Sequence, residues 1–390
     1  MKLIEDLDVR GKTVFVRVDF NVPLSESGEI RNDTRIRASL PTIRFLSEHG
    51  AKLILASHLG RPKKFDPAAS LRPAAVRLAE LLDRKVEMAP DVIGPDVDRL
   101  KAGLRDGGVL LLENVRFQPG ETKNDPELAR EFARGVDVFV NDAFGSSHRA
   151  HASVVGVAGL VPVKAAGYLL KKEVDFLGKV LHPVKPFTAV LGGAKTEDKI
   201  PVIESLLDKA DDILIGGAMA YTFLAAQGKG VGKSLVEPDK FDLALGIMKK
   251  AAERGVRLRL PSDHALAPSI DAGIVDRMTD EYPFPDVLMG VDIGPKTVAT
   301  YSAIIGRAKT VFWNGPLGVF ENPAFAEGTM QIAQAVAASP AVSIIGGGDS
   351  IAAVAKAGVG DRIGHISTGG GASLEFIAKG TLPGLDALEG

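Results

Sequence analysis

The stretch FTAVLGGAKTEDKI, residues 187–200, reads as a buried strand, a glycine turn and the start of a helix in immediate succession. The apolar run Phe187 to Leu191 has the length of a strand covered on both faces, and Gly192-Gly193 breaks it before a charged segment. The same grammar returns in DILIGGAMAYTFL (212–224), VSIIGGGDSIAAVAK (342–356) and IGHISTGGGASLEFI (363–377). Strand and helix in repeated alternation predict a parallel sheet with helices on both faces. Open sheets of this kind bind ligands outside the carboxyl ends of their strands, where these turns fall.

Working outward, the first half shows the same alternation with fewer glycines. AKLILAS (51–57), GVLLLEN (108–114) and DVFVND (137–142) read as strands, and the segments 35–49, 71–83 and 126–134 between them read as helices. At 390 residues the chain exceeds what one core usually supports. The expected fold class is therefore α/β: two similar-sized, Rossmann-like domains, each a parallel sheet flanked by helices. YLLKKEVDFLGKV (168–180) has helical periodicity, and LHPVKP (181–186) breaks it with two prolines. This reads as an interdomain linking helix, or hinge, over 168–180, between an N-terminal domain over 1–167 and a C-terminal domain over 181–375, with a surface helix inside one large domain as the alternative.

Composition narrows the functional classes. A formal charge of −2 lacks the basic surplus of a general nucleic-acid binder. With no cysteine, disulfides, thiolate catalysis and cysteine metal sites are excluded. No apolar run is long enough for a membrane span, and MKLIEDLDVRGK carries acidic residues where a signal peptide needs an apolar core, so the cytoplasm is the expected compartment.

RVDFNVP (17–23) is the most informative stretch of the first half. With period two, Val14, Val16, Val18, Phe20 and Val22 share one face, while Arg17, Asp19 and Asn21 share the other. Three polar groups along one strand predict a ligand-facing surface; the alternative is a half-exposed edge strand with a solvated face. Further basic groups, His58, Arg61, Arg116, His148, Arg149 and His151, fall at the ends of predicted strands or just after them, with Arg35 at a helix start. Arginine's planar fork suits carboxylate and phosphate, so convergence of these groups predicts a small, multiply anionic ligand.

In the second half the glycine turns predict phosphate binding, because backbone N–H groups and helix N-termini become accessible there. Lys195 and Lys199, four apart, would share one helix face toward a common anion. GKGVGKS (228–234) imitates a P-loop, but Gln227 stands where that motif needs glycine, and the segment follows a helical pattern; it reads as a helix C-cap and loop.

These motifs, together with HLGRP (58–62), LLENVRF (111–117), NDAFGSSHRAHAS (141–153), LGGAKTEDKI (191–200), VFWNGPLGVFE (311–321), GGGDS (346–350) and STGGGAS (367–373), resemble phosphoglycerate kinase along nearly the whole chain. The resemblance implies a 3-phosphoglycerate site formed by Asp19, Phe20, Asn21, Arg35, His58, Leu59, Gly60, Arg61, Arg116 and Arg149. It implies a nucleotide site formed by Gly193, Lys195, Lys199, Gly216, Gly217, Gly290, Asn314, Pro316, Glu321, Gly347, Gly348, Asp349 and Ser350, with Mg²⁺ on Asp349. Arg35, Lys195, Lys199, Gly348 and Gly371 would act on the group in transfer. His148 and His151 would be supports or structural histidines. The closing segment 376–390 resembles a tail that returns to the N-terminal domain. Ser147, Ser262 and His264 depart from the family pattern.

The implied reaction moves a phosphoryl group from 1,3-bisphosphoglycerate to MgADP, giving 3-phosphoglycerate and MgATP, in a monomer with no nucleic-acid or membrane partner. A dinucleotide-dependent oxidoreductase is the alternative, although no G-x-G-x-x-G follows an early strand. A non-catalytic scaffold of kinase ancestry is a third reading, opposed by the intact Arg35, Lys195, Lys199 and Asp349.

Overall fold

The computed structural model describes residues 1–389. The chain divides into two units, one formed by Met1–Asp175 with the segment from Thr381 onward, the other by Phe176–Gly380. The boundary falls inside the helix Tyr168–Leu181. Residues 376–380 belong to the second unit, where the Ser205 hydroxyl donates to the Ile377 carbonyl at 2.7 Å. The helix Pro383–Glu389 belongs to the first, where Gly384 N–H donates to the Ser147 carbonyl at 2.8 Å.

The first unit is built on β1 (Thr13–Val18), β2 (Lys52–Ala56), β3 (Glu87–Met88), β4 (Val109–Leu111), β5 (Val138–Asp142) and β6 (Val163–Ala166). All are parallel, in the order β3-β4-β2-β1-β5-β6. Val14, Val16 and Val18 pack into a core with Ile36, Leu40 and Ile43 of the helix Thr34–Glu48. On the other face Phe15 meets Phe132 and Phe139, with ring centroids 5.4 and 6.2 Å apart. β1 is thus a central strand covered on both sides, and the edge-strand alternative is wrong. The strand also ends at Val18, so Asp19, Phe20 and Asn21 lie in the loop beyond its carboxyl end instead of along one strand face.

The second unit contains β7 (Phe187–Leu191), β8 (Asp212–Ile215), β9 (Arg257–Arg259), β10 (His264–Ala267), β11 (Arg277–Thr279), β12 (Met289–Ile293), β13 (Thr310–Asn314), β14 (Val342–Gly346) and β15 (His365–Ile366). Its parallel sheet runs β15-β14-β13-β7-β8-β9. From β7 the chain builds outward to β8 and β9, and from β13 in the opposite direction to β14 and β15. The strand order therefore reverses between β7 and β13, and a crevice opens at the carboxyl ends of such a pair. The antiparallel trio β11-β10-β12 is an addition that the strand-helix grammar did not foresee.

Candidate functional site

At that switch point, Gly192-Gly193 follows β7 and Gly315-Pro316 follows β13, back to back. Gly193 N–H donates to the Pro316 carbonyl at 2.9 Å, and Gly192 N–H to the Asn314 carbonyl at 3.0 Å. Gly315 has φ +98°, and a Cβ on it would lie 2.1 Å from the Gly192 carbonyl oxygen, so the two turns interlock only as bare backbone. Gly216 and Gly217 after β8 join the same knot, donating to Leu191 and Leu317 carbonyls at 2.9 Å each.

Above the knot lies a cleft of ≈ 720 Å³. Gly193, Lys195, Lys199, Asn314, Gly347, Gly348, Asp349, Ser350 and Gly371 all line it. The helices Gly348–Lys356 and Gly371–Lys379 begin there, so two helix N-termini face one space, although Ala372 and Ser373 N–H in the second already donate to the Gly369 and Gly370 carbonyls at 3.0 and 3.2 Å. The Asn314 Oδ1 accepts from the Lys199 ammonium, while its buried Nδ2 has no partner. A buried donor without an acceptor at a cleft wall is a place for an anionic oxygen. Lys195 and Lys199 do not share a helix face. Lys195 is in an irregular segment and Lys199 ends the short turn Glu197–Lys199 ahead of the helix Ile200–Leu206; the loop, not helical spacing, brings both to the cleft.

Ser350 lines the cleft, and Gly290, Pro316 and Glu321 do not. The Ser350 hydroxyl is buried and accepts from Gly315 N–H at 2.6 Å, so it braces the turn. Gly290 sits in β12, where a Cβ would be 1.9 Å from the Tyr221 hydroxyl, which is a packing requirement. Glu321 is exposed in the loop after β13. Asp292, buried beneath this loop, accepts from Gly328 and Ile293 N–H at 2.6 and 2.9 Å, and burial pushes its carboxyl up to about 7.

In the first unit the basic residues gather at the carboxyl ends of β1, β2, β4 and β5. Asp19, 6% exposed, takes the Arg35 guanidinium at 2.8 Å. Burial pushes the Asp19 carboxyl up, but the Arg35 guanidinium, with Arg17 and the Asn21 N–H, holds it below its ordinary value. Asn21 Oδ1 accepts from Gly60 N–H at 2.9 Å, and Arg116 donates to the Gly60 carbonyl at 2.5 Å, which ties the HLGRP loop to its neighbours. Phe20 N–H donates to the Ser57 hydroxyl, and the Leu59 carbonyl accepts from Asn114, both at 2.8 Å. Arg61 and Arg149 are exposed, and both lie close enough to Arg116 to depress its guanidinium after burial and Arg17 have done so.

Arg17 itself does not face a ligand: it is 1% exposed, and Ser153, Val18, Ala56, His58 and Ser146 take its donors. This corrects its placement on a ligand-facing surface. Nor was Glu121 foreseen, although it is fully buried beneath the cluster and accepts from Ser153 N–H at 3.0 Å and from the Ser153 hydroxyl at 2.6 Å. His151 Nδ1 lies 3.6 Å from the same carboxylate, a supporting position.

Residues 4–379 match the sequence profile of the family described as phosphoglycerate kinase. The chain is 56% identical over 393 residues to the phosphoglycerate kinase of Anaeromyxobacter sp. (strain K), with 100% of this chain and 99% of that one aligned. The chain belongs to the phosphoglycerate kinase family. The cytosolic phosphoglycerate kinase of Triticum aestivum is 53% identical over 388 residues, covering 98% of this chain and 97% of that one. The solved phosphoglycerate kinase of Coxiella burnetii superimposes with a TM-score of 0.90 at 42% identity, over 99% of this chain and 97% of that one. Kinship with this kinase family gives the oxidoreductase alternative no support. Among the described residues no helix is long and apolar enough to cross a membrane.

The departures from the family pattern have local explanations. The Ser147 hydroxyl accepts from Asn141 Nδ2 and donates to the Ala143 carbonyl, both at 3.0 Å. The Ser262 hydroxyl lies 3.4 Å from the Thr297 hydroxyl, within hydrogen-bond reach. His264 is buried among Tyr221, Tyr282 and Phe284, its Nε2 2.7 Å from the Tyr282 hydroxyl, and burial lowers its imidazole to about 4.

Proposed function

We propose that this chain catalyses reversible phosphoryl transfer between 1,3-bisphosphoglycerate and MgADP, giving 3-phosphoglycerate and MgATP, in glycolysis or its reverse. In this reading the first unit holds the acid through Asp19, Asn21, Arg35, His58, Arg61, Arg116 and Arg149. The second holds the nucleotide in the cleft at the β7/β13 switch point, with the helix Tyr168–Leu181 as the linking element. The observation that carries the reading is the cleft: two helix N-termini, two lysines and an orphaned Asn314 donor converge on one space, a set suited to the oxygens of a polyphosphate.

In the direction of ATP consumption the nucleophile is a carboxylate, ionised at neutral pH, so no general base is needed. The residues instead position the reactants and neutralise charge on the group in transfer. Arg35 would do so from the acid side, and Lys195, Lys199 and the first-turn amides at Gly348 and Gly371 from the nucleotide side. Asp349 suits a magnesium ion: it is an exposed carboxylate in the first turn of Gly348–Lys356 and lines the same cleft as Lys195, Lys199 and Asn314. One hard oxygen plus substrate phosphates is the usual way of holding Mg²⁺, which when bound screens phosphate charge. A ligand on each unit further requires a state in which the two ligands meet.

Both sets of residues come from one copy, so the reading needs no second subunit, and the cytosolic wheat relative supports a cytoplasmic setting. A coupled assay of the purified chain with 3-phosphoglycerate and MgATP tests the proposal. Turnover that requires both substrates is expected; none, in a folded protein that still binds MgATP, would leave the scaffold reading.

A further inference from the structure

We infer that Arg17 is a positioning residue that fixes the His58 ring as its Nε2–H tautomer, and that Glu121 and Ser153 hold Arg17 in place for this. The inference rests on the acid-site reading above for its role, but its geometry stands without a ligand. Arg17 Nε donates to the Ser153 hydroxyl at 2.8 Å. Nη1 donates to the Val18 carbonyl and, at 3.5 Å, to the Ala56 carbonyl. Nη2 lies 3.2 Å from His58 Nδ1 and 3.4 Å from the Ser146 hydroxyl. The five N–H groups of the guanidinium are thereby all directed to protein atoms, and none is left for substrate.

An arginine side chain only donates, and it does not lose its proton in proteins. His58 Nδ1 must therefore be the acceptor, which leaves Nε2 carrying the proton of the neutral ring. Protonating Nδ1 would set two donors against each other at 3.2 Å. Burial already depresses the His58 imidazole well below its ordinary value, and Arg17, Arg116 and Arg35 depress it further, with Asp19 alone opposing them. The charge of Arg17 is itself balanced through Ser153: the hydroxyl that accepts from Arg17 donates to Glu121 at 2.6 Å. The outcome is a division of labour in which the surrounding arginines meet the charge of the acid and His58 offers it one fixed, neutral N–H donor.

The experiment is long-range proton–nitrogen NMR of the full chain labelled with ¹⁵N-histidine, with the His58 signals assigned by their loss in His58→Gln. In the wild type, His58 is expected to show one protonated and one bare nitrogen, the Nε2–H pattern, unchanged between about pH 8 and the ordinary histidine midpoint of about 6.5. In Arg17→Met the ring is expected to become a tautomer mixture that titrates at a higher pH than in the wild type. A wild-type Nδ1–H pattern, or a His58 that titrates near 6.5, overturns the inference even if Arg17→Met does not fold. Adding 3-phosphoglycerate to the wild type separates the two readings. A shift of the Nε2 signal supports both; an Nε2–H ring that ignores saturating 3-phosphoglycerate supports the tautomer assignment and overturns the acid-site reading.

Discussion

Substituting Asp142 by asparagine should make the protein more stable as the pH rises, by an amount the structure sets. Asp142 ends β5, is fully buried, and accepts from Leu169 and Leu170 N–H at 2.9 and 3.3 Å through Oδ1, while Oδ2 has no partner. Burial raises its carboxyl to about 7, against hydrogen bonds from Thr42, Leu170 and Leu169 that pull it down. The folded protein thus holds this proton more tightly than the unfolded chain does. Its stabilising contribution is complete below the ordinary value of 3.8 and is lost as the pH rises through about 7. At about 1.4 kcal/mol per pH unit the full difference is about 4 kcal/mol, of which about 2 kcal/mol falls between pH 5.5 and 8.5. Asparagine keeps the Oδ1 acceptor and is never charged, so Asp142→Asn should gain about 2 kcal/mol relative to the wild type over that interval. Urea unfolding at both pH values should be followed by far-ultraviolet circular dichroism, because the single tryptophan, Trp313, reports on the second unit. Hydrogen exchange at Leu169 and Leu170 would localise the effect to the start of the helix Tyr168–Leu181. If the stability difference between variant and wild type is the same at both pH values, the buried-proton argument fails.

Arg35→Ala should lower kcat by about 3 to 4 kcal/mol in barrier while leaving MgADP affinity nearly intact, and Arg35→Lys should rescue little because an ammonium lacks the fork; a variant that keeps most of its turnover refutes the assignment. Asp349→Asn should weaken MgATP binding and leave 3-phosphoglycerate binding unchanged in separate calorimetric titrations, and equal losses for both ligands would refute the two-site division. Gly315→Ala should disrupt the nucleotide cleft, because its Cβ meets the Gly192 carbonyl at 2.1 Å on a backbone at φ +98°. Overpacking and strain of this kind cost roughly 2 to 5 kcal/mol, so thermal unfolding near the wild-type midpoint with normal nucleotide binding would refute the interlock.

The alternation of apolar runs with helical patterns was enough to give two α/β halves, and each glycine turn in the second half stands at a strand's carboxyl end. These are local properties: period, length and the backbone freedom of glycine act within a dozen residues. Lys195 and Lys199 could be read as phosphate contacts from the turn they follow, whereas Asn314 and Asp349 came only from the family resemblance; all four line the cleft. What the sequence could not give was which polar groups remain free once distant strands are in register. Arg17 reads as a ligand-facing arginine, yet Ser146 and Ser153 after β5 and His58 after β2 use its donors. Glu121 and Asp142 look like ordinary surface acids until the fold buries both. The family resemblance assigns Gly290 to the nucleotide site, but Tyr221 is what excludes a side chain there. A hydrogen bond is satisfied or left open by residues a hundred positions away, so the elements follow from the chain's own periodicity, and the free donors and buried charges of the site follow only from the packing of one strand against another.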